Sequence, residues 1–242
     1  MAALLAAVLA GLLGLAAQTG PWAVTAVTVG AQLLLATGIA SAGRPERSGI
    51  ATWLVVAGAG AAASVVIETA NVVDLGTLAP VAAGGVLASF VLELVRRDGR
   101  AGLGGSLSAT ATGVVLAVLT ASWPVTALLR FGDTLVTIGA GGIGVCALAW
   151  ALPGPRGVLA PLGVVVAAAA GWVVLPMLSG TYDAVAGACL AGAGATVAAV
   201  ALAGATWWAA GAREHLALVA TLPLALAAPV VHLVGQLAGA AT

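Results

Sequence analysis

Charged and turn-forming residues punctuate this chain at long intervals, and nearly everything between them is apolar. Cutting at those marks leaves about nine runs, near 2–17, 22–40, 50–69, 76–95, 107–129, 134–152, 157–178, 184–210 and 216–238. A helix crosses a hydrocarbon layer about 30 Å thick with roughly 20 apolar residues, so these runs have spanning length. None alternates with period two, and each is about twice as long as a barrel strand. The pattern predicts an all-α, polytopic transmembrane helical bundle. The connections, such as QTGP, RFGD, PGPRG and AREH, leave no room for a soluble domain, so residues 1–242 read as one integral membrane domain.

Composition agrees. The 242 residues are 62% hydrophobic and 7% charged, with a mean hydropathy of +1.18, whereas soluble domains carry about 25% charged residues. A formal net charge of zero removes any basic face for nucleic acid. Every basic residue is Arg, and Ala, Gly and Val dominate. Such usage fits a GC-rich bacterial genome and places the chain in a bacterial plasma membrane. The first residues lack the positive region of a signal peptide and read as a span that stays attached. Cys146 and Cys189 sit in apolar runs and read as small buried hydrophobes. No metal-ligand spacing and no cofactor motif is expected.

The arginines set the orientation. With a cytoplasmic amino terminus, Arg44, Arg47, Arg96, Arg97, Arg100, Arg156 and Arg213 all fall inside, and only Arg130 falls outside. In short loops that asymmetry is the positive-inside signal, and it places the carboxy terminus outside. Trp22, Trp53, Trp150, Trp207 and Trp208 stand at span ends, where amphipathic rings prefer the headgroup level.

Candidate chemistry is sparse. Arg96, Arg97 and Arg100, in VLELVRRDGRAGLGG, are candidate contacts for an anionic lipid headgroup, although an orienting loop with Glu93 paired to Arg96 or Arg97 explains them as well. In GAGGIG, Gly139, Gly141 and Gly144 match a dinucleotide fingerprint, but they lie inside a span with no acid about 20 residues later. They are therefore read as packing glycines, and a Leu at Gly141 is expected to force two backbones apart. Ionisable groups inside a membrane are functional candidates. His232 lies well inside the last span, and Glu68, Asn71, Asp74, Asp133 and Asp183 share the outer level with it. These six form the candidate polar cluster, and His215 reads as a wet loop residue.

The stretch LPLALAAPVVHLVGQL, 222–237, resembles the last helix of the phosphatidate cytidylyltransferase (CDP-diacylglycerol synthase) family. A basic loop followed by SLSATATGVVLAVL and Gly-rich spans repeats that family's order of elements over about half of the chain. The resemblance implies a membrane protein of lipid metabolism. The family's paired catalytic acids fall at Val219 and Leu222 here, so its catalytic set is not carried over.

The leading expectation is therefore a non-catalytic integral membrane component, a subunit or scaffold serving cell-envelope lipids. Its partners would be membrane lipids and a membrane protein or a second copy, with no nucleic acid. A small proton- or cation-coupled transporter is the second expectation and a lipid-modifying enzyme the third. A transporter should carry a polar file through several helices, and the sequence shows polar groups near one face only. Orientation is directly testable. In a Cys-free background, a cysteine replacing Asp98 should stay unlabelled by an impermeant maleimide in intact cells, and one replacing Asp183 should react; labelling at position 98 would reverse the topology.

Overall fold

The computed structural model describes residues 1–42, 48–70, 74–95, 103–180, 182–208 and 216–240. Arg44, Arg47, Asn71, Arg96, Arg97, Arg100, Arg213 and His215 lie outside them. The described residues form α1 (Ala2–Thr19), α2 (Pro21–Ala42), α3 (Ser48–Ala70), a 3₁₀ turn (Leu75–Leu78), α4 (Ala79–Val95), α5 (Leu103–Thr120) and α6 (Ser122–Ala127). There follow α7 (Gly132–Ala151), α8 (Arg156–Ser179), α9 (Ala184–Trp208) and α10 (Leu216–Ala240). Among the described residues there is no strand, and nine helical segments are long and apolar enough to cross a membrane. The chain is a multi-pass membrane bundle.

Short links force neighbouring helices to run antiparallel. Gly20 alone joins α1 to α2; its φ of 131° is open to glycine at little cost, and Pro21 starts the next helix where an amide is not needed. Across the bundle, Thr137 donates to the Gly14 carbonyl (3.3 Å) and Gly144 faces Ala10, so α1 and α7 are antiparallel too. Two faces result. The proximal face carries the start of α1 and the Ala151–Arg156 link, and the distal face carries Gly20, Asp74, Arg130–Asp133, Gly180 and Asp183.

The fifth span differs from the expected continuous run over 107–129. It breaks at Ala121, and the six-residue α6 carries Trp123 and Pro124 into the interior. The indole of Trp123 is fully buried and donates to the Leu224 carbonyl of α10 (3.0 Å). This Trp is an anchor in the core, unlike the Trp residues at span ends. The prolines of α10, Pro223 and Pro229, lie within one unbroken helix.

Two apolar cores flank α10. One joins residues of α1, α7, α8 and α9, including Leu13, Ile143, Leu175 and Leu190; the other joins α2, α3 and α5, including Leu35, Val56, Val114 and Ala117. In the first core, backbones touch. A Cβ at Gly142 would overlap the Ala191 carbonyl, and Gly171 and Gly187 face each other with no room for one on either side. Gly139 is filled against by Val231 of α10, where a Cβ would come within 2.9 Å of Val231 Cγ2. Gly141, in contrast, meets nothing within 4 Å and is exposed. At about 100° per residue it points away from the face that Gly139 and Gly142 share. The expected packing role belongs to Gly139 and Gly142, and the reading of Gly141 is corrected.

Gly142→Leu should sharply reduce monodisperse protein in detergent size-exclusion chromatography, since overpacking of this kind costs about 1–3 kcal/mol or more. Gly141→Leu should leave elution and Tm unchanged. Equal behaviour of the two would contradict this placement of the helix faces.

Candidate functional site

The three outer acids serve the ends of helices. Asp74 Oδ1 accepts from the Gly76 amide (3.0 Å) at the head of the 3₁₀ turn, and Asp183 Oδ1 accepts from the Ala186 amide (2.7 Å) at the head of α9. Asp133 lies in the first turn of α7. All three are exposed, and each offsets the positive end of a helix dipole or its unpaired amides. Asp133 and Asp183 are accounted for in this way. Among the described residues, no three His, Cys, Asp or Glu side chains gather where they could hold a metal ion.

Glu68 and His232 are both held inside. Glu68 is half-buried at the distal end of α3 and accepts from Thr25 Oγ1 of α2 (2.8 Å). His232 is fully buried in α10, with Nδ1 3.2 Å from Thr126 Oγ1 of α6. Thr126 donates to the Ser122 carbonyl (2.7 Å), so its hydroxyl accepts from Nδ1, which makes the Nδ1-protonated tautomer the fitting one and leaves Nε2 an acceptor. Nε2 has no partner, and neither do the buried Ser122 Oγ of α6 and Thr28 Oγ1 of α2. A buried polar atom without a hydrogen bond costs about 1–3 kcal/mol. All three lie on the mutually packed helices α2, α6 and α10. A cavity of about 190 Å³ between the 3₁₀ turn, α4 and α5 reaches Ser122 from the distal side.

Polar side chains continue inward along α2, α3 and α5. Below Thr25 and Thr28 on the same face of α2 comes Gln32, whose amide donates to Ser64 Oγ (3.1 Å) and to the Ala117 carbonyl (2.9 Å), while Ser64 donates back to Gln32 Oε1 (3.2 Å). Gly60 makes room for the Gln32 stem; a Cβ there would come within 2.9 Å of Gln32 Cδ. The next rung is apolar, with Val56 and Ile39 packed over Gly113. Beyond it, Thr52 and Thr110 share a hydrogen bond (3.4 Å), Thr110 donates to the Ser106 carbonyl (3.0 Å), and Ser106 donates to Glu93 of α4. Glu93 is 6% exposed. Polar groups thus recur between half-buried Glu68 and buried Glu93, in three hydrogen-bonded sets, Thr25–Glu68, Gln32–Ser64 and Thr52–Thr110–Ser106–Glu93, with an apolar rung between the last two.

The sequence reading missed the proximal half of this series. Glu93 lies three residues before Arg96, and that neighbour makes it read as part of the orienting loop. Its burial follows from α4, where Gly85, Ser89 and Glu93 recur every four residues and face α5. Thr52, Gly60, Ser64 and Glu68 recur likewise on α3, and that spacing was the available signal. Val219 and Leu222, which stand at the acid positions of the resembling family, pack among apolar neighbours. No family model, curated protein or solved structure matches this chain.

If Asp183 serves only as a cap, Asp183→Asn should be neutral and Asp183→Ala should lose about 1 kcal/mol. Thermal unfolding in detergent checks this, and both variants should keep full biological activity.

Proposed function

We propose that the chain is a small proton- or cation-coupled transporter of a bacterial plasma membrane, with its amino terminus in the cytoplasm. The observation that carries this reading is the file of polar groups from Glu68 and Thr25, through Gln32 and Ser64, to Thr52, Thr110, Ser106 and Glu93. Hydrocarbon supplies no water to satisfy such groups, and ionisable residues kept inside a membrane line ion and proton pathways. His232 and the unpartnered hydroxyls of Ser122 and Thr28 lie beside its distal half. The Val56–Ile39–Gly113 rung gives the file a barrier, so that Glu68 and Glu93 are reached from opposite faces.

The second reading, a non-catalytic subunit or scaffold serving envelope lipids, draws on the flanks of α4 and α8. These spans are the least buried of the nine, and they turn Leu87, Leu94, Val165 and Trp172 outward. Such surfaces accept a partner helix or lipid.

Purified protein in liposomes, with a pH-sensitive dye inside and an imposed potassium diffusion potential, separates the two. Glu68→Gln and His232→Asn keep hydrogen-bonding capacity and remove only ionisation. Transport predicts that each reduces proton- or sodium-driven flux to that of protein-free vesicles at an unchanged Tm. Flux equal to the parent, or full complementation of a deletion strain by both variants, would reject the transporter and favour the scaffold.

A further inference from the structure

A second cavity lies on the proximal face, lined by residues that do not belong to the polar file. It measures about 440 Å³ and opens on the proximal face where α1, α7, α9 and α10 end. Its floor is apolar, formed by Ala3, Trp150, Leu202 and Val219. Leu202 and Ala3 are buried, and Trp150 and Val219 pack against the small core beneath. Its rim is polar. The backbone of the Leu152–Gly154 link borders it, and Arg156 stands at the edge with its guanidinium carbon 5.9 Å from the centre of the Trp150 ring. No acidic residue lines the cavity among the described residues.

We infer that this cavity binds the phosphate headgroup and first chain carbons of an anionic phospholipid, with Arg156 as the phosphate ligand. Each part of the site matches one part of that molecule. A guanidinium presents paired N–H donors that fit two phosphate oxygens, and stacking on an indole restricts it without removing those donors. An apolar floor at the depth of a span-ending Trp suits the boundary between headgroup and acyl chain. A volume inside the roughly 300–1,000 Å³ range of small-molecule pockets is more than a bare phosphate needs. The inference stands apart from the transport reading, since none of its residues belongs to the polar file. It also differs from the Arg96–Arg100 loop, which lies outside the described residues.

The test is a titration of the full-length protein in dodecyl maltoside with fluorescent phosphatidylglycerol, in competition with unlabelled phosphatidylglycerol, phosphatidylcholine or inorganic phosphate. Phosphatidylglycerol should compete best. Arg156→Gln should weaken binding roughly five- to tenfold, the loss expected for one arginine near the surface. Val219→Phe, which fills the floor and leaves the charge, should weaken it as well. Arg130→Gln, on the distal face, should not. Unchanged affinity in both Arg156→Gln and Val219→Phe would overturn the site. Equal competition by inorganic phosphate would overturn the lipid as its source.

Discussion

Lipid tails are as apolar as the side chains they surround, so no hydrophobic force draws one transmembrane helix to another. What remains is contact at short range, and in this chain the contact is made by backbone. α9 presses Gly187 on Gly171 of α8 and Ala191 on Gly142 of α7. α7 in turn holds α1 through Thr137 and the Gly14 carbonyl, and α10 through Gly139 and Val231. Take away these close approaches and the first core has no reason to assemble.

The other half of the bundle is joined by a different kind of contact. α2, α3, α4 and α5 add hydroxyls, one amide and two carboxylates to an apolar core that includes Leu35, Val56, Val114 and Ala117. Hydrogen bonds between membrane helices contribute only about 0.6 kcal/mol on average, so in this half the apolar core carries most of the association.

Much of the architecture was legible because length and charge are one-dimensional quantities. Span number and span position follow from counting apolar residues, and eight of the nine segments match the expected runs closely. The break at Ala121 was hidden because Trp123 and Pro124 extend an apolar run without changing its hydropathy. Gly141 shows a second limit: a glycine in a packing motif and a glycine facing lipid carry the same letter, and only the helix phase separates them. The candidate site was half legible. Glu68 and His232 announce themselves as charges inside apolar runs, whereas Thr52, Gln32, Ser64 and Thr110 are common in membrane helices and gain meaning only when several helices bring them into one line. Glu93 was masked by the arginines beside it.

The one-residue link at Gly20 bears on how the chain enters its membrane. α1 holds no charged side chain. α2 follows after a single residue, and the first arginines, Arg44 and Arg47, come only after α2. Two helices tied so closely form a hairpin, so α1 is bound to run opposite to whatever direction α2 takes. The arginines that follow α2, Arg44 and Arg47, therefore bear on the orientation of both helices at once.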